Sequence, residues 1–298
     1  MTLEQLRIFI AVAEREHVTR AAEALNLTQS ATSAAIAALE TRHAVRLFDR
    51  IGRRIVLTDA GRRFLTDARA VLARATLAER ALDDLAGLKR GSLRLSASQT
   101  VANYWLPEMM HRFHRDYPGV RLTTSIGNSV QVMQRLHDID VDIGIIEGEP
   151  SDQSLACCQI PGDSLALVVA HTHPWVKHPP RKTSDLLQSP WVLREQGSGT
   201  RAALETLLNK AGHTCKDLEV AFELPANEAV CTAVEAGAGA AVLSNLVVRR
   251  SLEAGTMAAL PFGLPVRTFH LLWHGERQLS QIERRFLDIA GCDPGSAG

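Results

Sequence analysis

Hydroxyl and amide side chains recur in this chain where a predicted strand gives way to a predicted helix. Four such places carry the candidate ligand-binding residues, which are Ser98 and Thr100; Asn128 and Ser129; Arg194, Ser198, Gly199 and Thr200; and Asn227. The first N–H groups of a helix lack partners within the helix and attract negative charge. Beside hydroxyls, they suit a small polar, anionic molecule, with plain helix capping as the alternative. Glu147 adds a carboxylate at the same rim, which leaves an amphoteric or hydroxylated ligand open.

Other chemistries find less support in the sequence. The segment Gly197-Ser198-Gly199-Thr200 lacks the lysine of a phosphate-binding P-loop and does not match the G-x-S-x-G pattern of a nucleophile elbow. The glycines at 237 and 239 precede a predicted strand, so no dinucleotide cofactor is expected. His171, His173 and His178 lie among prolines in an irregular segment, and no metal site is predicted.

The elements that position these residues alternate between strand and helix from Ser92 onward. Predicted strands cover 93–97, 120–126, 141–146, 165–170, 191–193, 219–224, 240–243 and 268–273. Predicted helices cover 103–116, 129–137, 199–211, 227–236, 245–253 and 279–290. This alternation predicts an α/β fold with parallel sheets, divided into two lobes, with ligands at the carboxyl ends of strands.

The first 42 residues instead predict three short helices. The first covers 3–15, the second covers 20–25 with Thr19 as its cap, and Asn26 ends it in a left-handed conformation. The third runs from its cap Thr28 to about Arg42, with Ala31, Ala35, Ile36 and Leu39 inward. Two helices joined by so short a turn are typical of a helix-turn-helix. The residues predicted to contact double-stranded DNA from the third helix are Thr28, Gln29, Ser30, Thr32 and Ser33.

Residues 47–58 predict two short strands around a turn at Gly52, which form a basic wing. The wing residues predicted to contact DNA are Arg50, Arg53 and Arg54. The whole chain has zero net charge, yet residues 1–90 hold 15 Lys and Arg against 11 Asp and Glu. The remaining residues hold 18 against 22, so the basic end is the one that suits a polyanion.

After the wing, Thr58 is expected to cap a helix that runs to about Leu88. Its apolar side chains are spaced by alternating steps of four and three, at Phe64, Ala68, Val71, Ala75, Ala78, Leu82 and Leu85. Such a seam predicts coiled-coil dimerisation, with packing inside one subunit as the alternative. Gly87 and Gly91 predict a hinge.

Composition further restricts the class of protein to which the chain can belong. No apolar run approaches the roughly 18 residues of a membrane span, and the charged N-terminus is unlike a secretory signal, so a cytoplasmic protein is expected. The five cysteines include no C-x-x-C pair and are expected to be buried reduced thiols.

Residue order and spacing over the first 61 positions resemble the LysR-type transcriptional regulators. The segments that carry this resemblance are LEQLRIFIAVAERE, VTRAAEALNLTQSATSAAIAALE and VRLFDRIGRRIVLTDAG. It continues through ASQTVANYWLP, DVDIGIIEGEP, LREQGSGTR and NEAVCTAVEAGAGAAVLS, which are similar to the branch that regulates carbon-fixation and sulfur-assimilation genes.

The resemblance implies a homo-oligomer, often a dimer of dimers, in which a ligand binds between the lobes of a domain like a periplasmic binding protein. It implies a winged helix-turn-helix at 1–60, a linker helix and hinge at 61–90, and an effector-binding domain at 91–298. One lobe of this domain would comprise about 91–161 and 266–298, and the other about 162–265. RNA polymerase is a further candidate partner. Alanine at 34 and 35, where many relatives have Arg or Gln, reduces the expected base readout there.

Three alternative functions belong to other classes of protein. An enzyme would need an arranged nucleophile, base or metal, and no motif in the chain supplies one. A secreted solute-binding protein would need a signal peptide and would have no DNA-binding head. An architectural DNA binder would have no use for a long two-lobed body.

Overall fold

The structure of the chain is a computed structural model that describes residues 1–51, 54–85, 91–293 and 295. The side chains of residues 50, 51, 54, 73, 77 and 79–85 lie outside this description. The chain divides into two compact units, Met1–Leu85 and Ala86–Gly298, which are described separately below. Among the described residues, no helix has both the length and the apolar composition needed to cross a membrane.

The N-terminal unit is three short helices, a hairpin and a long helix. Its elements are α1 (Leu3–Arg15), α2 (Val18–Ala24), α3 (Gln29–His43), β1 (Phe48–Ile51), β2 (Arg54–Leu57) and α4 (Asp59–Leu85). Asn26 has a φ of 55°, which confirms the predicted left-handed end of α2. The predicted start was wrong, because α2 begins at Val18 and its cap is His17 rather than Thr19.

The core of this unit forms where one face of α1 meets the other elements. Phe9 is fully buried and its ring lies 5.4 Å from that of Phe48 and 4.8 Å from that of Phe64. The predicted cap of α4 is confirmed, since the Thr58 hydroxyl accepts the Gly61 N–H at 2.9 Å. One apolar core thus holds the helices, the hairpin and the start of α4 in fixed relation.

The C-terminal unit begins with three parallel strands and the helices between them. These elements are β3 (Gly91–Ser98), α5 (Gln99–Tyr104), α6 (Leu106–Asp116), β4 (Val120–Gly127), α7 (Ser129–His137) and β5 (Ile143–Glu147). The remaining elements are β6 (Leu155–Ala170), β7 (Pro190–Arg194), α8 (Gly199–Lys210), β8 (Glu219–Leu224), α9 (Asn227–Glu235), β9 (Ala241–Ser244), α10 (Asn245–Glu253), β10 (Met257–Leu260), β11 (Val266–His274) and α11 (Gln281–Ala290). Short 3₁₀ turns cover Pro174–Val176, Thr183–Gln188 and Cys215–Asp217.

Two strands pass from one lobe to the other. Strand β6 pairs along its first half with β11 and along its second half with β9 and β10, in each case antiparallel. Strand β3 pairs in parallel with β4 and β5, and β7 pairs in parallel with β8. The prediction of parallel sheets therefore holds for β3 with β4 and β5 and for β7 with β8. It is wrong for β6, β9, β10 and β11, which pair antiparallel.

Separate apolar cores give the unit its two lobes. The first lobe packs residues of β3, α6, β5 and α11, including Leu93, Phe113 and Phe286. The second lobe packs residues from 165 to 260, including Trp191. The predicted α/β class is confirmed, and the sequence missed β10 and the first half of β6.

One pair of cysteines departs from the sequence prediction. Cys158 of β6 and Cys292 after α11 are bonded through their sulfur atoms. Cys157, Cys215 and Cys231 are free thiols and are half-buried. The expectation of buried reduced thiols is thus wrong for Cys158 and Cys292.

Candidate effector site and DNA interface

The first wall of the cleft between the lobes is formed by the carboxyl ends of three strands of the first lobe. Ser98 ends β3 and Thr100 lies in the first turn of α5, and both are buried. Asn128 caps α7 by accepting the Gln131 N–H at 3.0 Å, and Ser129 begins that helix. Because parallel strands end at the same sheet edge, β3, β4 and β5 bring these groups together, with Glu147 at the end of β5.

The second wall comes from the other lobe. Arg194 ends β7, and Ser198, Gly199 and Thr200 form the start of α8. Asn227 is the first residue of α9 and is fully buried. All these residues have buried side chains apart from the glycine, so the segments predicted from sequence converge on one interior site.

Asn227 forms three hydrogen bonds, two of which link the two walls. Its side-chain amide donates to the Thr100 hydroxyl at 3.2 Å, and its Oδ1 accepts from Nη1 of Arg194. Its backbone N–H donates to Oε1 of Gln99 at 3.0 Å, and Nε2 of Gln99 donates to the Pro225 carbonyl at 2.6 Å. A single buried amide therefore joins α5 of one lobe to α9 and β7 of the other.

A second contact between the lobes lies at the other side of the cleft. Nδ2 of Asn128 donates to Oε1 of Glu195 and to the Gln196 carbonyl, both at 3.3 Å. A Cβ at Gly199 would lie 2.9 Å from the Glu147 carbonyl oxygen and 3.1 Å from the Ser129 hydroxyl. Only glycine allows the start of α8 to approach the first lobe this closely.

A further hydrogen bond between the two lobes is exposed at the surface. Nδ2 of Asn103 donates to Oε1 of Glu228 at 3.2 Å, which joins α5 to α9 at the surface. Partial burial and then the negative charge of Glu228 raise the pKa of the neighbouring Tyr104 phenol.

The arginines of the site are engaged with other partners. Arg194 donates to both carboxylate oxygens of Glu195, at 2.9 and 3.1 Å. Arg201 binds Glu205 at 2.9 Å and Glu223 at 2.5 Å. A purely anionic ligand would need one of these arginines to neutralise Glu147, and the observed pairs do not include that carboxylate.

Two hydroxyls of the cleft differ from the others in their hydrogen bonding. The Oγ atoms of Ser98 and Ser129 are buried and form no hydrogen bond within the described residues. Thr100 and Thr200, by contrast, accept from Asn227 and Arg267. A buried hydroxyl without a partner is costly in a native protein, so Ser98 and Ser129 are the groups that a ligand can satisfy.

Sequence reasoning missed three residues that shape the site. Gln99 lies between two predicted residues and carries the contact to α9. Arg267 holds Thr200 at 3.1 Å and forms a buried bidentate pair with Asp163, at 2.9 and 2.6 Å. Arg267 and Asp163 lie 104 residues apart on the strands that cross between the lobes, so no local motif signals them.

The N-terminal unit presents α3 as an exposed helix after a short turn. Thr28 caps α3 by accepting the Ala31 N–H at 3.2 Å, and its hydroxyl lies 3.1 Å from that of Ser30. Nε2 of Gln29 donates to the Ser33 hydroxyl at 3.1 Å. Thr28, Gln29 and Ser30 are exposed and Ser33 is half-buried, so all four can be reached from outside.

The prediction that Thr32 contacts DNA is wrong. It is fully buried and its hydroxyl donates to the Thr28 carbonyl at 3.1 Å, so it cannot reach a base edge. The inward face of α3 is Thr32, Ile36 and Leu39, while Ala31, predicted to face inward, is exposed. The exposed face also includes Ala34, which keeps it low in bulk.

The wing is joined to α3 by one carboxylate. Oε1 of Glu40 accepts the N–H groups of Leu47 and Phe48, at 2.7 and 3.1 Å, and so positions the start of β1. Arg53 lies outside the described residues, as do the side chains of Arg50 and Arg54. Their predicted DNA contacts stay predictions.

The predicted seam of α4 divides into two parts. Phe64 and Ala68 pack into the core of their own unit, which favours the alternative of packing within one subunit for this part. Val71 is 43% exposed and Ala78 is exposed. Leu82 and Leu85 fall outside the described side chains, so dimerisation through the later seam stays a prediction.

A helix-turn-helix with a hairpin wing, followed in the chain by a two-lobed α/β unit with a polar interlobe site, is the domain arrangement of a DNA-binding transcriptional regulator with an effector-binding domain. Residues 3–62 match the family model described as "Bacterial regulatory helix-turn-helix protein, lysR family". Residues 86–292 match the family model described as "LysR substrate binding domain". The chain belongs to the LysR family of bacterial transcriptional regulators, which confirms the resemblance found in the sequence.

Relatives that match along the whole chain are named as transcriptional regulators. The chain is 38% identical over 296 residues to the uncharacterized HTH-type transcriptional regulator YeiE of Escherichia coli K12, covering 99% of this chain and 98% of YeiE. It is 32% identical to the RuBisCO operon transcriptional regulator of Allochromatium vinosum, covering 97% and 95%. This is a family of regulators, and the chain is not an enzyme.

Solved structures show the same fold. Full-length CbnR complexed with its target DNA matches with a TM-score of 0.68 and 24% identity, covering 97% of this chain and 98% of CbnR. The regulatory domain of CcmR from Synechocystis PCC6803 in complex with 2-PG matches with a TM-score of 0.61 and 26% identity, covering 67% of this chain and 95% of that domain.

Proposed function

We propose that this regulator binds a small polar metabolite between its two lobes and that the metabolite controls its action on DNA. The observation that carries the proposal is the pair of buried hydroxyls, Ser98 and Ser129, that have no partner among the described residues. A relative, CcmR, has been solved with 2-PG on its regulatory domain, which supports a small-molecule effector.

The surroundings of the two hydroxyls restrict the chemistry of the effector. An anionic group suits the Ser129 hydroxyl and the N-terminus of α8, because helix N–H groups and the helix dipole favour negative charge. Glu147 is 5% exposed and adjoins Gly199, so the same ligand needs a hydroxyl or amine that donates to this carboxylate. A simple dianion meets only the first condition. We therefore propose an anionic metabolite with a hydrogen-bond donor.

A thermal-shift screen of the full chain tests this proposal. The panel pairs hydroxylated or amino carboxylates and phosphates with analogues that lack the donor. A true effector stabilises the chain by about 2.7 kcal/mol at a hundredfold excess over its dissociation constant. Ser129→Ala should leave the ligand-free melting temperature unchanged and weaken the hit about tenfold, since a charge-assisted hydrogen bond is lost.

Ser164→Ala is the matched control, because Ser164 is an exposed serine of β6 outside the cleft. It should bind the effector as the wild type does. If Ser129→Ala keeps full affinity, or if analogues without the donor bind equally well, the proposed ligand pose is wrong.

On the DNA side, we propose that Thr28, Gln29, Ser30 and Ser33 contact base edges or phosphates in a major groove. Gln29→Ala should relax specificity at one or two base pairs, each worth about 1–3 kcal/mol. Arg53→Ala with Arg54→Ala should weaken binding to all sequences and reduce the salt slope by about one unit per lost phosphate contact. Unchanged affinity and slope in the double variant would contradict the wing assignment.

We further propose that ligand binding in the effector domain changes DNA binding by the N-terminal domain. Residues 1–60 act as the DNA-binding domain, 61–90 as a dimerising linker and hinge, and 91–298 as the effector domain, in a cytoplasmic homo-oligomer. The exposure of Val71 and Ala78 on α4 supports a partner helix there. A ligand changes DNA binding only by its differential affinity for the closed lobes, which is typically about 1–3 kcal/mol.

A further inference from the structure

A second polar pocket lies in the first lobe, on the face of the sheet that α7 contacts. Its volume is about 300 Å³. It is lined by Arg94 and Leu95 of β3, Thr123, Thr124 and Ser125 of β4, Arg135 of α7, and Asp140 and Val141 before β5. Arg94 precedes Ser98 by four residues on β3, which places the pocket about 13 Å along the strand from the effector cleft. None of the predicted effector residues lines this pocket.

Two side chains on the pocket lining carry buried polar atoms that have no hydrogen-bond partner among the described residues. Six buried side-chain polar atoms have no hydrogen bond within the part of the chain that the structure describes, and two of them are the cleft hydroxyls. Three of the other four are Nε of Arg94, Nη1 of Arg135 and Oγ of Ser96. Ser96 is fully buried and lies outside the pocket lining, so the two guanidinium atoms are the ones that concern this site. A buried donor without a partner calls for an explanation, and a bound anion would supply the missing acceptors for both guanidinium groups.

Among the residues that the structure describes, one arginine of the pocket has no counterion. Arg94 donates through Nη2 to the Ile139 carbonyl at 2.8 Å and to Oδ1 of Asp142 at 3.1 Å. Arg135 forms no ion pair among the described residues. Asp140 is an exposed carboxylate on the lining, where solvent screens its repulsion of an anion.

We propose that this pocket is a second ligand site, which binds a small oxyanion between Arg94 and Arg135. Guanidinium N–H groups match the geometry of phosphate, sulfate or carboxylate oxygens and form strong charge-assisted hydrogen bonds with them. The Thr123 hydroxyl lies on the pocket lining and adds a donor for a remaining oxygen, whereas the Ser125 hydroxyl donates to the Leu95 carbonyl at 3.4 Å. Thr123 and Thr124 are exposed, so the anion enters from solvent.

Inorganic phosphate is the probe, titrated into the full-length chain by calorimetry at constant ionic strength. Arg135→Gln should weaken phosphate binding about tenfold or more, because it removes the charged donor. Thr123→Val should weaken it severalfold without a change of charge. Arg121→Gln is the matched control on the same strand, since Arg121 is exposed and outside the pocket lining, and it should bind phosphate like the wild type.

Ser129→Ala separates this site from the effector cleft and should leave phosphate affinity unchanged. Melting temperatures of all variants show whether each is folded, and Thr123→Val keeps the test valid if Arg135→Gln is not. The proposal is overturned if the wild type binds no phosphate, if folded Arg135→Gln or Thr123→Val binds it normally, if Arg121→Gln weakens it equally, or if Ser129→Ala abolishes it.

Discussion

The amide of Asn227 should stabilise the closed arrangement of the lobes more than any exposed contact between them. Asn227→Ala removes the acceptor of a buried arginine, Arg194, and the donor to the Thr100 hydroxyl. A hydrogen bond to a charged group contributes about 1.5–3 kcal/mol and a neutral one about 0.5–1.5, so the expected loss is about 2–4 kcal/mol. For a domain of this size the loss corresponds to a melting temperature roughly 5–15 °C lower.

Differential scanning calorimetry of the full-length chain measures this loss in the transition of the C-terminal unit. Asn103→Ala is the matched control, because it removes an amide that also bridges the lobes but is exposed. Its expected cost is at most about 0.5 kcal/mol. Thr100→Val combined with Asn227→Ala should cost less than the sum of the single changes, since the two residues share a bond. Equal melting temperatures for Asn227→Ala and Asn103→Ala would refute the reasoning.

Three further predictions concern other parts of the chain. Glu40→Ala should destabilise the N-terminal unit by about 2–3 kcal/mol in urea unfolding and weaken DNA binding, because two N–H groups lose their acceptor, and Glu40→Gln should cost less. Burial raises the pKa of Cys231 to about 11 from 9.0, so at pH 8 a thiol reagent should label it roughly a hundredfold more slowly than an unperturbed thiol; equal rates would contradict this. Hydrogen bonds from Ser154 and His137 lower the pKa of Asp152 from 3.8 to about 2. The stability that Asp152 adds, measured in urea against Asp152→Asn, should be full above pH 3.8 and lost as pH falls through about 2; a difference that does not change with pH would contradict it.

The sequence pattern did not predict correctly which face of α3 is buried. The helix combines alanines with short polar residues, so its faces differ little in polarity, and the pattern cannot decide whether Thr32 or Ala31 is inward. The core of the N-terminal unit decides it, because the Thr32 hydroxyl can satisfy itself on the Thr28 carbonyl and be buried at low cost.

Strand β6 illustrates a second kind of failure. Proline and glycine usually interrupt a strand, and they occur together at Pro161 and Gly162. The strand nevertheless continues through them from one lobe to the other. A Cβ at Gly162 would lie 2.3 Å from the Arg267 carbonyl oxygen, so the glycine serves the close approach of the two crossing strands. Only the tertiary arrangement shows that this position is a crossing point and not an end.

The sequence by itself determined the family, the helix-turn-helix, most of the strands and helices, and the four segments that meet at the cleft. These properties depend on local periodicity, helix capping and the tendency of parallel strands to end at one edge. The tertiary structure alone decided which polar groups of the cleft are satisfied: Thr100 by Asn227, 127 residues away, and Thr200 by Arg267, 67 residues away. It also decided that Ser98 and Ser129 have no partner among the described residues. Hydrogen-bond partners so distant in the chain are set by how the lobes pack, and local sequence carries no record of that packing.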